Sequence, residues 1–88
     1  MENVYNTGVL SILLRGGSRI DYIKIMRDLR EDADKTQQQI ADYLGTSQTM
    51  YARYERGANE LPIHHLIKLC EFYNVSADYF LGLDKRQG

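Results

Sequence analysis

Small and polar side chains share one side of a short helix predicted over residues 47–56. With about 100° of rotation per residue, this side lies away from Tyr51 and Tyr54, which are predicted to face inward. The outward group consists of Gln48, Thr49, Ala52, Arg53 and Arg56. Amide and guanidinium groups can each form two hydrogen bonds at once with the edge of a nucleic-acid base. The predicted helix therefore offers a face, uncharged at its start and basic at its end, to a groove about one helix wide.

A tight connection precedes this helix. Only Gly45 and Thr46 separate it from another predicted helix, Gln37–Leu44. This spacing is typical of a helix-turn-helix, in which one short helix crosses close over the next. Ala41 supplies the small side chain that such a crossing needs, and Gly45 can adopt the positive φ that the turn needs. The sequence therefore predicts a helix-turn-helix over residues 36–57.

Capping and terminating residues set the ends of the predicted helices. Thr36 and Gln39 have the spacing of a capping box, and Ser47 is a suitable N-cap for the helix that follows it. Gly57 is the expected stop of that helix, and Asn74 is a suitable left-handed stop for a later one. Further helices are predicted over residues 21–33, over 62–73 with Pro62 at the first helical position, and over 77–81.

The helix predicted over residues 62–73 carries an apolar stripe that is expected to be buried. Its members recur at steps of three or four residues: Ile63, Leu66, Ile67, Cys70 and Tyr73. Cys70 is accordingly interpreted as a small hydrophobic core residue. His64 and His65 are adjacent, so their side chains point about 100° apart and cannot hold one metal ion. We interpret both as surface histidines near the start of a helix.

Composition and charge favour a small binding domain over an enzyme. The 88-residue chain carries 11 basic and 12 acidic residues, a formal net charge of −1, and a single cysteine, which excludes an intrachain disulfide. Its longest apolar run, residues 9–14, is far shorter than the roughly 20 residues of a membrane helix. No nucleophile–base pair, metal-ligand set or phosphate-binding loop is visible in the sequence. We therefore expect one domain in a reducing cytoplasm, with no catalytic residues, no metal and no cofactor.

Residues 36–57, TQQQIADYLGTSQTMYARYERG, resemble the helix-turn-helix of the Cro/C1-type (XRE-type) DNA-binding regulators. The resemblance extends through LPIHHLIKLCEFYNVSADYFLG and back into RDLRED, so it covers about residues 20–83. It implies an all-α fold: a compact five-helix bundle of the lambda-repressor-like DNA-binding type. A non-helical or extended arm, residues 1–19, would precede this domain, and a tail, residues 84–88, would follow it.

The resemblance also implies a function and assigns roles to individual side chains. The chain would be a cytoplasmic transcriptional regulator, a repressor, that binds operator DNA in the major groove as a homodimer. The positions that read base edges are matched by Gln48, Thr49 and Arg53. The positions that contact phosphates are matched by Gln37, Ser47, Arg56 and Asn59. The structural positions are matched by Ala41, by Gly45, and by Arg30 and Glu55, which would form an ion pair that sets the angle of the recognition helix.

Two residues depart from the pattern of the family. Lys35 stands where many relatives have an aliphatic residue, which predicts a less well anchored loop before the second helix. Glu60 lies in the loop expected to follow the DNA backbone, where a basic residue would bind phosphate better. The net charge of −1 also predicts weak nonspecific DNA binding, so that affinity would depend on dimerisation.

An alternative function and the role of the arm are left open by the sequence. The alternative is a protein-interaction module on the same fold, such as an antitoxin or anti-repressor partner, which an exposed aromatic patch at Tyr43 or Phe80 would suit. Residues 9–14 could pair as a strand with a second subunit, pack across the bundle, or form a leader before the domain. Neither a membrane nor a small-molecule ligand is expected as a partner.

Overall fold

The structure, a computed structural model, describes residues 19–83, with side chains from Tyr22 onward. These residues form five helices: α1 (Arg19–Asp32), α2 (Gln37–Leu44), α3 (Gln48–Glu55), α4 (Ile63–Tyr73) and α5 (Ala77–Phe80). Residues 19–83 contain no β-strand, which confirms the predicted all-α class. Helix α1 begins at Arg19, a residue that the sequence analysis places in the arm. The predictions for the rest of the arm and for the tail lie outside the described residues.

All five helices contribute to one buried core. Its fully or nearly fully buried side chains are Met26, Ile40, Ala41, Leu44, Tyr51, Tyr54, Leu69 and Phe80. The predicted inward orientation of the two tyrosines is confirmed. The expectation of an exposed aromatic at position 80 is wrong, because α5 packs against α1 and α4 and the Phe80 side chain is fully buried in the core. The longest described helix has 14 residues, so none of the helices in this part of the chain could cross a membrane.

Helices α2 and α3 form the predicted helix-turn-helix. Gly45 has a φ of +78° and donates its N–H to the carbonyl groups of Ala41 and Asp42 at the end of α2. The Ala41 side chain is fully buried, and its small size lets α2 lie close to α3. The Oγ1 of Thr36 accepts from the Gln39 N–H at 3.0 Å, and the Gln39 Oε1 accepts from the Thr36 N–H at 2.8 Å. This reciprocal pair is the predicted capping box.

Gly57 lies two residues after the end of α3 and close to α1. Its φ is +76°, a conformation that side-chain-bearing residues adopt at a cost. A Cβ at this position would also lie 2.8 Å from Cδ1 of Ile23. A glycine therefore allows both the left-handed backbone at this position and the close approach of α1 to the end of α3.

The predicted buried stripe of α4 is wrong at two of its five positions. Ile63 and Ile67 are 69% and 53% exposed, whereas His65 and Leu69 are 6% and 0% exposed. The His65 ring packs edge-on against the ring of Tyr54, with 5.8 Å between the ring centres. The helix is thus rotated so that positions 65 and 69, one turn apart, face the core. Pro62 is also outside the helix, since its ψ of 149° is extended and it serves as the N-cap.

Three members of the predicted α4 stripe remain at the edge of the core. These are Leu66, Cys70 and Tyr73, which are half-buried and pack against the buried cluster. Burial raises the pKa of the Cys70 thiol, and the nearby Glu71 carboxylate adds to this effect. Asn74 ends α4 in the predicted left-handed conformation, with a φ of 57°, and Ser76 caps α5.

Candidate nucleic-acid interface

Helix α3 presents the predicted polar face on its outer side. The side toward the core carries Tyr51, Tyr54 and Glu55. The outer side carries exposed Thr49 and half-buried Gln48, Ala52 and Arg53, and exposed Arg56 follows as the C-cap. The helix begins at a defined point, because Oγ of Ser47 accepts a hydrogen bond from the Met50 N–H at 3.0 Å. Since this cap engages the Ser47 oxygen as an acceptor, the hydroxyl proton is left as a donor for a ligand.

Gln37 at the start of α2 connects the outer face of α3 to its buried side. Nε2 of Gln48 donates to Oε1 of Gln37 at 2.7 Å. Nε2 of Gln37 in turn donates to Oε1 of Glu55 at 3.0 Å. The two glutamines that were predicted to contact phosphate and base are therefore in direct contact with each other.

The Glu55 carboxylate lies at the centre of a buried hydrogen-bond network. Arg30 donates to it from two nitrogen atoms, Nε to Oε2 at 2.6 Å and Nη2 to Oε1 at 3.1 Å. The hydroxyl of Tyr51 donates to Oε2 at 2.5 Å. The Arg30 and Glu55 side chains are only 13% and 3% exposed. The expected ion pair is thus present, and it joins α1 to the end of α3.

The network shifts the pKa values of its members. Burial alone would raise the pKa of Glu55, but hydrogen bonds from Arg30, Tyr51 and Gln37 outweigh it and lower that pKa below its ordinary value. Burial, together with the hydrogen bond to Glu55, raises the pKa of Tyr51. At neutral pH Glu55 is therefore an ionised carboxylate and Tyr51 a neutral donor.

The loop before α2 is well anchored, contrary to the expectation based on Lys35. Nη1 of Arg30 donates to the Lys35 carbonyl at 2.8 Å, and the Lys35 N–H donates to the Arg30 carbonyl at 3.1 Å. Both contacts use the backbone of Lys35. The identity of its side chain therefore matters less than the resemblance implied.

The loop after α3 folds back onto Arg53. Nε of Arg53 donates to Oδ1 of Asn59 at 2.5 Å. The Arg53 carbonyl accepts from the backbone N–H groups of Ala58 and Asn59, at 2.9 and 3.4 Å. The bond from Nε holds the base of the guanidinium, and the two backbone contacts hold the loop against the end of α3. The two Nη groups of Arg53 and the amide nitrogen of Asn59 are left as donors for a ligand.

The net charge exposed by the helix-turn-helix differs from the sum of its charged residues in the sequence. Residues 36–62 contain two arginines and three acidic residues. One of the three, Glu55, is buried against Arg30, so its charge is neutralised inside the bundle. The remaining charges are two of each sign: Arg53 and Arg56 against Asp42 and Glu60. The outer surface is close to neutral, and its hydrogen-bonding groups outnumber its charges.

A family model described as Helix-turn-helix matches residues 26–80, which is more than half of the chain. The chain belongs to this helix-turn-helix family. The matched residues extend from α1 to the end of α5, so the match covers every element that positions the polar face. The resemblance to Cro/C1-type regulators is confirmed.

Curated relatives of this helix-turn-helix chain are regulators by name. It is 36% identical over 62 residues to an uncharacterised HTH-type transcriptional regulator, YobD, of Bacillus subtilis, covering 70% of the chain and 55% of the relative. ImmR, an HTH-type transcriptional regulator of the same organism, is also 36% identical over 62 residues, covering 70% and 49%. RstR, a cryptic phage CTXphi transcriptional repressor of Vibrio cholerae, is 36% identical over 53 residues, covering 60% and 47%. The chain spans about half the length of these relatives, and no solved structure matches it significantly.

Two parts of the helix-turn-helix network were not predicted. Tyr51 was expected only in the core, but its hydroxyl also binds Glu55, four residues later on the same helix. That i, i+4 spacing was a usable signal. The contact between Gln37 and Glu55 joins residues 18 apart, and no sequence period indicates it.

The expectation that His65 lies on the surface was wrong, because its side chain is buried. Burial lowers the pKa of His65, and the nearby His64 and Lys68 add to this effect.

Proposed function

We propose that this chain is a sequence-specific DNA-binding transcriptional regulator that acts as a repressor. The observation that carries the proposal is the outer face of α3, where Gln48 and Arg53 are each held by a hydrogen-bonded partner while donor groups remain for a ligand. The names of the relatives, which include a transcriptional repressor, give independent support.

In this proposal α3 enters the major groove and reads base edges with Gln48, Thr49 and Arg53. The amide of Gln48 suits adenine, and the guanidinium of Arg53 suits guanine, because each pairing allows two hydrogen bonds. The side chains of Gln37, Ser47, Arg56 and Asn59 contact phosphates on either side of the groove. The residues of both sets lie around the two ends of α3.

In this proposal the protein is cytoplasmic and represses transcription when a homodimer occupies a promoter. One α3 helix offers few contacts and little positive charge, so two copies are needed for tight binding. The operator is then a palindrome whose half-sites lie about one DNA turn apart. No catalytic step is required, because bound protein excludes the transcription machinery from the DNA.

Selection from a pool of random DNA duplexes tests this proposal. The purified chain is used to retain duplexes at a low and a moderate salt concentration. Enrichment of a palindrome that survives the higher salt supports a sequence-specific dimeric regulator. Retention without an enriched motif, lost uniformly as salt rises, would reduce the activity to phosphate attraction. No retention at either salt would contradict the proposal and favour a protein partner.

A further inference from the structure

The buried carboxylate of Glu55 is linked to the outer face of α3 by one side chain, that of Gln37. An ionised carboxylate can only accept hydrogen bonds. The terminal atom of Gln37 that lies 3.0 Å from Oε1 of Glu55 must therefore be the amide nitrogen. The amide oxygen of Gln37 is then the atom turned toward Gln48.

The same reasoning applies to the next amide. The oxygen of Gln37 can only accept, so the atom of Gln48 that lies 2.7 Å from it must be a nitrogen. The direction of each amide thus follows from the charge of Glu55. Without that charge, each amide could rotate by 180° and exchange its donor and acceptor at little cost in shape.

Two residues other than Gln37 also donate hydrogen bonds to Glu55 and hold it as a carboxylate. Arg30 binds both carboxylate oxygens, and Tyr51 donates to Oε2. The side chain of Glu55 is 3% exposed, so water contributes little to the network. Among the described residues, Gln37 is the one that binds both Glu55 and the Gln48 side chain on the outer face.

The fixed direction limits what Gln48 can offer to a base. One N–H of Gln48 is used by Gln37, which leaves one N–H and the amide oxygen. Adenine presents one acceptor and one donor in the major groove, N7 and the N6 amino group, and matches this pair. Guanine presents two acceptors there, N7 and O6, so the oxygen of Gln48 would face a second acceptor.

We infer that Glu55 is a positioning residue that makes Gln48 prefer adenine over guanine, by fixing the direction of the Gln37 and Gln48 amides. The inference rests on the proposed binding of DNA by α3. It adds a determinant of base preference that lies in the core and touches no base.

The test compares duplexes that differ only at the base pair contacted by Gln48. That pair is the one at which Gln48→Ala loses its preference in the selected site. The variants Gln37→Leu and Glu55→Gln are measured on the adenine and guanine versions. Both are expected to reduce the ratio of affinities for adenine over guanine by about tenfold, the size of one lost hydrogen-bond preference. Preferences at the other base pairs should be unchanged.

Arg30→Lys is the matched control. It keeps a cation beside Glu55, which therefore stays a carboxylate, but it loses the two-nitrogen contact and lowers stability. The ratio of adenine to guanine affinities should stay at the wild-type value in this variant. An equal loss of the ratio in Arg30→Lys would assign a general structural role to the network and overturn the inference.

The remaining outcomes are also decisive. A wild-type ratio retained by either folded variant would overturn the inference while leaving the proposed function intact. If Glu55→Gln does not fold, Gln37→Leu decides, because that variant leaves the ion pair in place. A wild-type chain that binds no DNA selectively would overturn the proposed function and, with it, this inference.

Discussion

Arg53 is the side chain whose role on DNA can be separated most cleanly. Its Nε donates to Asn59, which leaves its two Nη groups as donors, and guanine offers two acceptors in the major groove. Arg53→Ala should weaken binding to the selected duplex by about 1–3 kcal/mol and relax the preference at one base pair. Affinities for a set of duplexes, each with one base pair changed, measure both effects. Arg56→Ala is the control, since a phosphate contact should weaken all duplexes alike, and the same uniform loss for Arg53→Ala would contradict base reading.

The ion pair between Arg30 and Glu55 should make stability depend on pH. The folded pKa of Glu55 is lower than its ordinary value of 4.5, so its stabilising effect is present above about pH 4.5 and is lost as pH falls through the folded pKa. Arg30→Met should therefore cost roughly 3 kcal/mol in free energy of unfolding at pH 7, because it leaves a buried charge unpaired. The difference from wild type should shrink in acid, where Glu55 is neutral in both proteins.

Urea unfolding at a series of pH values measures this difference. Lys24→Met is a control, because the Lys24–Asp28 pair is exposed on α1 and should contribute nothing measurable at any pH. A cost of Arg30→Met that stays constant as pH falls would show that packing, and not the charge of Glu55, stabilises the contact.

At the scale of single elements, Gly45 and Gly57 form a natural comparison. Both have positive φ, +78° and +76°, but a Cβ at Gly45 would meet no atom within 4 Å, whereas one at Gly57 would meet Ile23. Gly45→Ala should cost about 1–2 kcal/mol from the left-handed backbone alone. Gly57→Ala should cost more, and Ile23→Val, which removes Cδ1, should recover the difference in the double variant. Equal costs measured by thermal or urea unfolding would contradict the crowding at Gly57.

The ends of α2 and α3 were predictable from the sequence, but the rotation of α4 was not. Caps and turns depend on residues within a few positions of each other, so Thr36, Ser47 and Gly45 were informative by themselves. Two stripes on α4, one with Ile63 and Ile67 and one with His65 and Leu69, share Leu66, Cys70 and Tyr73. The choice between them depends on the ring of Tyr54, which only the assembled bundle places against His65.

At the scale of the whole molecule, the low charge of the surface should make DNA binding only weakly dependent on salt. If Arg56 is the only cation on phosphate, a dimer neutralises two phosphates, and the slope of log affinity against log salt should be about −2. If Arg53 also gripped phosphate, the slope would be about −4. Affinities on the selected duplex at several salt concentrations measure this slope. A steeper value than about −4 would mean that basic residues other than Arg53 and Arg56 also contact phosphates.

The family and the all-α class could be predicted from the sequence, since they depend on spacing within 36–57 and on helix signals along the chain. Of the network below the polar face, the resemblance implied the pair of Arg30 and Glu55. The contact of Gln37 with Glu55 could not be predicted, because these residues meet only after α2 and α3 pack together. A count of charges over residues 36–62 includes Glu55, although packing against Arg30 buries its carboxylate.

We propose that α3 reads a DNA sequence. The most direct test is the affinity of the full chain for the selected duplex and for a scrambled duplex of the same length and composition, at one moderate salt concentration. We expect the selected duplex to bind about a thousandfold more tightly or better. Equal affinities for the two duplexes would contradict the claim.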